Sequence, residues 1–451
     1  MTTLDPDNLR ALFKAYDVRG TVPDQLDEDL ARAVGRAFAA VTGAREVVVG
    51  HDMRPSSPGM AAAFAEGANA VGTSVVLIGL CSTDGLYFAS GHLGVPGAMF
   101  TASHNPAQYN GIKMCRANAV PIGLETGLAE IRDRVAADDV PDNAPPGETT
   151  EQDLLGAYAD HLLSLAPVSG RRLKVVVDAG NGMAGLTAPE VLGRLDLDVV
   201  PMYYELDGSF PNHEANPIDA ANLVDLQAKV RETGADIGLA FDGDADRCFL
   251  VDERGELVDP SVLTGLIAAR ELAKSPGSAV IHNLITSRAV PEIVTELGGT
   301  PVRTRVGHSF IKATMAETDA VFGGEHSGHF YFRDFWRADS GMLAALHALS
   351  ALAGTDQPLS ALLAPYARYV ASGEINSTVP DAQAVMARIE QEWSDAEVDF
   401  LDGMTVSFPG GFFNVRPSNT EPLLRLNVEG RDEATMTEVR DRVLATIRRE
   451  Q

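Results

Sequence analysis

Apolar runs rich in Val and Ile recur along the chain, each followed by a polar or Gly-rich turn and a helix-like segment. The four clearest stretches are EVVVGHDMRPSS (46–57), KVVVDAGNGMAG (174–185), ADIGLAFDGDADR (235–247) and AVIHNLITSRAV (279–290). This alternation indicates α/β units with largely parallel strands. Ligands of such sheets bind beyond the carboxyl ends of the strands, and all four stretches carry their polar residues there.

Turn-rich stretches predict where the domains meet. The first stretch, 136–153, is acidic and Pro-rich, and two others lie at 252–260 and 365–383. After the third stretch, the chain has a helix-like, a strand-like and a second helix-like segment. A chain of 451 residues is long enough for three or four domains. We therefore predict three similar α/β domains with mixed, largely parallel sheets at 1–150, 151–255 and 256–368, and a smaller α+β domain at 369–451.

Composition indicates an ordinary globular protein, with 45% hydrophobic and 22% charged residues. No apolar run reaches the roughly 18 residues of a membrane helix, and the first ten residues do not resemble a signal peptide. Three scattered cysteines (Cys81, Cys115, Cys248) predict no disulfide framework, which fits a reducing compartment. We expect a cytoplasmic protein.

The formal net charge of -27 disfavours nucleic acid and anionic membranes as partners. The same charge would repel a phosphorylated substrate unless cations were concentrated at one place. Clusters of Arg and Lys are therefore informative in this chain.

The turn FDGDADR (241–247) places Asp242, Asp244 and Asp246 at alternating positions directly after an apolar strand. Carboxylate oxygens in this arrangement suit Mg²⁺. A helix-loop-helix calcium site is disfavoured because the following CFLVDE reads as a strand. A plain solvated turn of Asp and Gly remains the alternative.

In RPSNTEPLLR (416–425), Arg416 and Arg425 bracket Ser418, Asn419 and Thr420. Forked guanidinium donors, hydroxyls and turn N–H groups together favour a phosphate site, with a polar hairpin as the alternative.

Two further motifs are Gly-rich. In GGEHSGHF (323–330), Glu325 and Ser327 can face the same way and bind adjacent sugar hydroxyls, although a solvated loop or a weak metal pair would also fit. GNGMAG (180–185) matches a dinucleotide-binding pattern, with Glu205 downstream. It leaves the other motifs unexplained, so we interpret it as a tight turn between strand and helix.

A Ser and a His stand side by side in TASHNPAQYNGIK (101–113), a turn with no local shielding. Together with four other motifs, this stretch makes the chain resemble the α-D-phosphohexomutase superfamily, in its phosphomannomutase/phosphoglucomutase branch. The motifs are KAYDVRG (14–20), TASHNP (101–106), DGDADR (242–247), GEHSGH (324–329) and RPSNTEP (416–422). The resemblance spans nearly the whole chain and implies four domains around one deep cleft.

The resemblance also implies a reaction, in which hexose 6-phosphates and hexose 1-phosphates interconvert through a phosphoserine and a hexose 1,6-bisphosphate that also acts as primer. Ser103 would carry the phosphoryl group, and Mg²⁺ would be held by Ser103 with Asp242, Asp244 and Asp246. The other implied residues are His104, Lys113, Arg19, Arg247 and Tyr16 near the reacting phosphoryl group, Glu325, Ser327, His308 and His329 at the sugar, and Arg416, Ser418, Asn419, Thr420 and Arg425 at the second phosphate.

One position departs from the family. A lysine is expected after the strand AVIH, but Leu284 stands there, and Arg288 is a candidate substitute. Phosphoglucosamine mutase, a metal-dependent sugar phosphatase and a non-catalytic sugar-phosphate binding protein remain alternatives, although KAYDVRG argues against the first. The choice between mannose and glucose phosphates and the oligomeric state stay open.

Overall fold

The structure, a computed structural model, describes residues 4–140, 145–417 and 423–449, with the backbone alone at 308 and 309. The chain divides into two compact units, residues 1–258 with 327–360, and residues 259–326 with 361–451. None of the helices in the described ranges has both the length and the apolar character needed to cross a membrane.

The first unit begins with a mixed sheet that is flanked by helices. Its helices and strands are α1 (Pro6–Leu12), β1 (Asp17–Thr21), α2 (Glu28–Thr42), β2 (Glu46–His51), α3 (Ser57–Ala70), β3 (Ser74–Leu80), α4 (Thr83–Leu93), β4 (Gly97–Phe100), β5 (Tyr109–Arg116), β6 (Val120–Pro121), α5 (Leu128–Ala137) and β7 (Thr149–Glu151). The strand order is β1-β5-β4-β2-β3-β7, with β6 paired to β5. Strands β4, β2, β3 and β7 run parallel, and β5 runs antiparallel to its neighbours.

A second sheet follows in the same unit. Its elements are α6 (Leu155–Leu165), β8 (Leu173–Asp178), α7 (Ala184–Leu192), β9 (Leu197–Met202), α8 (Val224–Thr233), β10 (Ile237–Phe241), β11 (Cys248–Asp252) and β12 (Leu257–Val258). The order is β12-β11-β10-β8-β9, with parallel pairing among β10, β8 and β9. Strand β11 pairs antiparallel with β10, and the turn 242–247, with its three Asp residues, connects these two fully buried strands.

The next segment contributes to both units. In the second unit, three parallel strands pair in the order β14-β13-β15 and alternate along the chain with three helices. The elements are α9 (Pro260–Lys274), β13 (Ala279–Asn283), α10 (Ala289–Glu296), β14 (Thr300–Thr304), α11 (His308–Thr318) and β15 (Phe322–Gly324). In the first unit, β16 (Phe330–Phe332) pairs antiparallel with β17 (Ala338–Asp339), and α12 (Gly341–Ala353) follows. Helix α13 (Leu359–Leu363) comes last in the segment.

The second unit ends in an antiparallel sheet with two helices. Its elements are β18 (Val370–Thr378), α14 (Ala382–Glu392), β19 (Glu397–Asp399), β20 (Met404–Phe408), β21 (Gly411–Pro417), β22 (Leu423–Gly430) and α15 (Glu433–Ile447), in the strand order β18-β22-β21-β20-β19. Short 3-10 helices also occur at Leu124–Thr126, Ala220–Leu223 and Arg333–Phe335.

The predicted fold class, mixed α/β sheets followed by an α+β region, is confirmed, with four local corrections. The stretch 235–247 leads into a strand and not into a helix, because apolar CFLVD continues the sheet as β11. The turn-rich stretches predicted between domains also contain strands: β7 lies within 136–153, β12 within 252–260 and β18 within 365–383. Each pairs with another strand of its sheet, which short-range composition does not reveal. The predicted domain limits stay predictions.

Candidate active site

The loop between β4 and β5 carries Ser103, in the first unit. Ser103 has φ of 49°, in the left-handed region that non-Gly residues rarely occupy. Its N–H donates to Thr101 Oγ1 at 2.9 Å, and its hydroxyl donates to Asp242 Oδ2 at 2.8 Å. Only 5% of Ser103 is exposed, so the distant turn after β10 supplies the shielding that the sequence around Ser103 lacks.

That turn brings three buried carboxylates together. Asp242, Asp244 and Asp246 each offer an oxygen within 4.8 Å of the others. Ala245 has φ of 61°, which lets the turn reverse tightly between β10 and β11. The Oδ1 atoms of Asp244 and Asp246 are buried and accept no hydrogen bond from any residue that the structure describes. Buried carboxylate oxygens without donors are costly, and a hard divalent cation would satisfy them, so the donor set fits Mg²⁺.

Lys113, on β5, forms ion pairs with two carboxylates of this cluster. Its ammonium lies 2.6 Å from Asp244 Oδ2 and 2.7 Å from Asp246 Oδ2. Although burial opposes the charge, the two carboxylates raise the pKa of Lys113 well above its usual value. In return, Lys113 outweighs burial and keeps the pKa of Asp244 below its ordinary range. Lys113 is thus a fixed cation beside Ser103.

Arg247 and His104 flank the hydroxyl of Ser103. Arg247 Nε donates to Asp242 Oδ2 at 2.9 Å, and Arg247 Nη2 donates to His104 Nδ1. His104 Nδ1 lies 3.2 Å from Ser103 Oγ. Burial, with added repulsion from Arg247 and Arg19, lowers the pKa of His104 to about 2. The imidazole is therefore neutral at physiological pH and accepts a hydrogen bond.

Arg19, on β1, reaches the same loop from the other side. It donates to the Ala102 carbonyl at 2.9 Å, and it also contacts Asn105 Oδ1 and Asp17 Oδ2. Tyr16 is half-buried, directly before β1. Through Arg19, the KAYDVRG motif thus contacts the loop that carries Ser103.

His329 lies with the carboxylate cluster. Its Nδ1 is 2.9 Å from Asp339 Oδ2 and 3.7 Å from Asp246 Oδ1. Burial opposes protonation, but Asp246 and Asp339 together raise the pKa of His329. A backbone bridge also pairs His329 with Arg247. Ser327 is half-buried and belongs to this unit too.

Glu325 belongs to the second unit, where Asn283 holds it in place. Asn283 Nδ2 donates to Glu325 Oε1 at 3.2 Å, and the Gly307 N–H donates to the same oxygen at 3.2 Å. Asn283 Oδ1 in turn accepts bonds from the loop after β13, including the Thr286 hydroxyl at 2.9 Å. His308 is the first residue of α11, and its side chain lies outside the described atoms.

Arg416 and Arg425 are directly opposite each other on β21 and β22. Like charges in that position repel, and Glu374 lies 3.9 Å and 3.8 Å from the two guanidinium groups. Their Nε atoms are buried and have no hydrogen-bond partner among the described residues. This geometry suits an anion. Ser418, Asn419 and Thr420 lie outside the described residues.

Arg288, the candidate substitute for the lysine expected from the family, forms a hydrogen bond with a backbone carbonyl. Arg288 caps α10, and its Nη1 donates to the Gly411 carbonyl at 3.1 Å. Leu284 is buried, with 2% of its surface exposed.

Sequence reasoning missed three polar residues that support the site: Thr83, Arg54 and Asn283. Thr83 donates its hydroxyl to Asp244 Oδ2 at 2.5 Å, and its N–H donates to the Asp244 carbonyl at 3.0 Å. Arg54 binds the backbone of the Ser103 loop. Arg54 and Asn283 lie in stretches whose pattern indicates only a strand followed by a turn, and Thr83 looks like an ordinary first residue of a helix.

Comparisons with known proteins agree along the whole chain. Family models described as phosphoglucomutase/phosphomannomutase match as alpha/beta/alpha domain I at residues 10–141, domain II at 156–255, domain III at 259–369 and the C-terminal domain at 374–446. A protein of Xanthomonas campestris named "Phosphohexose mutases" is 44% identical, covering 97% of this chain and 99% of that protein. A "Phosphomannomutase" of Salmonella typhimurium is 41% identical, covering 96% of this chain and 98% of that protein.

Among solved structures, a phosphoglucomutase/phosphomannomutase family protein from Burkholderia thailandensis is similar throughout. Its TM-score is 0.90 at 34% identity, and the match covers 98% of both chains.

Proposed function

The chain belongs to the phosphoglucomutase/phosphomannomutase family and is a phosphohexose mutase, and we propose that it works through a phosphoryl group carried on Ser103. The observation that carries this proposal is the contact between the Ser103 hydroxyl and Asp242, inside a cluster of three buried carboxylates. We further propose Mg²⁺ as the cation held by Asp242, Asp244 and Asp246. When bound, it would neutralise charge on the transferring phosphoryl group.

The proposed transfer uses cations that the chain fixes around Ser103. A hydroxyl of the hexose phosphate loses its proton and attacks phosphorus, the bond from phosphorus to Ser103 Oγ breaks, and Oγ takes up a proton. Lys113, Arg19 and Arg247 supply positive charge near the oxygens that become more negative. His104 is neutral, so its proposed part is to accept a hydrogen bond and help orient the loop.

The resulting hexose 1,6-bisphosphate then presents its other phosphate, which returns to Ser103 and leaves the isomer. Free bisphosphate would prime an enzyme that has lost its phosphoryl group. We propose that sugar hydroxyls are bound by Glu325, Ser327, His308 and His329, and that the non-reacting phosphate is bound by Arg416, Ser418, Asn419, Thr420 and Arg425. Support comes from the paired arginines, whose Nε atoms lack partners among the described residues, and from the fixed carboxylate of Glu325.

We propose mannose phosphates as substrates and glucose phosphates as second substrates, because a relative named phosphomannomutase is 41% identical over 96% of this chain. A cytoplasmic location is part of the proposal and is supported by three buried, free cysteines.

A coupled assay tests this proposal. Conversion of mannose 1-phosphate and glucose 1-phosphate is measured with and without Mg²⁺ and glucose 1,6-bisphosphate, for the wild type and Ser103→Ala. We expect turnover that needs the cation and is lost in Ser103→Ala. Ser90→Ala is a matched control, because buried Ser90 donates to the carbonyls of Val95 and Arg116 and accepts from the Ala119 N–H, and none of these bonds involves the carboxylate cluster. An active Ser103→Ala variant would contradict the phosphoserine mechanism.

The same assay separates the alternatives. A phosphatase would release inorganic phosphate as fast as the substrate disappears, whereas a mutase conserves sugar phosphate. A binding protein would retain affinity for hexose phosphates without turnover. Glucosamine 1-phosphate, included as a third substrate, tests the phosphoglucosamine mutase alternative.

A further inference from the structure

Arg54 lies directly beneath the loop that carries Ser103. It follows β2 in the first unit, and 1% of its surface is exposed. A guanidinium group has five N–H donors, and here four of them reach backbone carbonyls of residues 103–109, which lead from the Ser103 loop to the first residue of β5. Nη1 donates to the carbonyls of Pro106 and Tyr109, each at 2.9 Å, and Nη2 donates to those of Ser103 at 2.9 Å and Asn105 at 2.6 Å.

The fifth donor anchors the guanidinium from behind. Arg54 Nε donates to Asp52 Oδ2 at 3.2 Å, and the other oxygen of Asp52 accepts the Arg54 N–H at 2.9 Å and the Ser57 hydroxyl at 2.6 Å. The ring of Phe210 covers one face, with its centroid 5.1 Å from Arg54 Cζ. Every donor of Arg54 is therefore used, and its position is fixed on several sides.

This arrangement constrains Ser103 through its backbone. Ser103 has φ of 49°, a conformation that an unsupported loop would leave readily. Its carbonyl is bound to Arg54, while its hydroxyl is bound to Asp242. Arg54 has no bond to the hydroxyl, so any effect of Arg54 on the reaction passes through the loop.

We infer that Arg54 is a positioning residue for phosphoryl transfer, which holds the 103–109 loop so that Ser103 Oγ meets the carboxylate cluster. This inference rests on the proposed function of Ser103. Lysine cannot replace Arg54, because an ammonium has three donors and no planar fork. Displacement of a reacting atom by about 1 Å can cost about 100-fold in rate.

The test compares wild type, Arg54→Lys and Arg171→Lys. Arg171 is a control in the same unit, with bonds to the Thr355 carbonyl at 2.9 Å and Asp236 Oδ1 at 2.7 Å, and no contact with the loop. For Arg54→Lys we expect kcat to fall by about 100-fold while KM changes less than threefold. Single-turnover phosphorylation of Ser103 by glucose 1,6-bisphosphate, followed by intact mass, should slow by the same factor. Arg171→Lys should keep kcat within threefold of the wild type.

Amide hydrogen exchange gives a readout that needs no turnover. Peptides covering 103–109 should exchange at least tenfold faster in Arg54→Lys, while peptides from the second sheet keep their wild-type rates. If Arg54→Lys does not fold, Asp52→Asn replaces it in every measurement, because it keeps the side-chain shape and removes the charge behind the guanidinium. We then expect a fall in kcat of about tenfold, without a matching change in KM.

The inference is wrong if the folded variant keeps kcat within threefold, or if its exchange rises equally in all peptides. A wild type that is never phosphorylated on Ser103 would instead refute the proposed function. In that case, the exchange measurement alone decides whether Arg54 orders the loop.

Discussion

Thr83 sets the orientation of Asp244, and its removal gives a quantitative test of the proposed cation site. The Thr83 hydroxyl is 2.5 Å from Asp244 Oδ2, the oxygen that also accepts from Lys113 at 2.6 Å. With Oδ2 held by two donors, buried Oδ1 has no hydrogen-bond donor within the described part of the chain and is available to a cation. Thr83→Val preserves the shape and volume of the side chain but removes the hydroxyl.

The structure indicates the size of the effect. A hydrogen bond to a charged group contributes about 1.5–3 kcal/mol, and each 1.4 kcal/mol corresponds to about tenfold in an equilibrium constant. Loss of groups that orient metal ligands typically weakens metal binding by about 10- to 100-fold. We therefore expect Thr83→Val to weaken cation binding by about 10- to 100-fold, because Asp244 can then rotate about its side chain.

Binding is measured directly with Mn²⁺, whose free ion gives an electron paramagnetic resonance signal, and by the Mg²⁺ concentration that half-saturates mutase activity. Thr73→Val is the matched control. Thr73 is also buried, and its hydroxyl donates to the Ala44 carbonyl at 2.9 Å, away from the carboxylates. The reasoning is refuted if both variants bind Mn²⁺ as tightly as the wild type does, or if both lose affinity equally.

Three further predictions concern the second unit. Arg425→Ala should raise KM for hexose phosphate by about tenfold or more with a smaller loss of kcat, because the proposed phosphate site loses a forked donor; a loss confined to kcat would contradict this. Asn283→Asp should also raise KM by about tenfold, since a second carboxylate would face Glu325 in place of the amide 3.2 Å away; Asn283→Gln is the uncharged comparison, and an equal KM in both variants would exclude charge repulsion. Burial raises the pKa of Glu429 to about 7, above its usual 4.5, so the free energy of unfolding should fall as pH rises from about 4.5 to 7. Glu429→Gln should remove about 1–3 kcal/mol of that dependence in urea titrations, and parallel curves for the two proteins would refute it.

Much of the architecture was predictable because its signals are local. Val-rich strands followed by polar turns predicted the sheet units, because a run of five or six mostly apolar residues is enough to indicate a buried strand. The carboxylate cluster was predictable for the same reason, because Asp242, Asp244 and Asp246 share one turn. Arg416 and Arg425 bracket one hairpin, so antiparallel pairing alone places them opposite each other.

Only the tertiary structure decided which polar groups surround that cluster. Thr83 is 161 residues from Asp244, and Lys113 is 131 residues from it, so strand order and helix placement bring them together. Nothing local distinguishes Thr83 from an ordinary helix-start residue, or Arg54 from a solvated turn residue. The surroundings also decided the charge of His104, which burial beside Arg247 keeps neutral. The sequence by itself determined the elements and the reactive groups within single turns. Burial, strand order and long-range hydrogen bonds determined the orientation and ionisation of those groups, because these depend on neighbours that are remote along the chain.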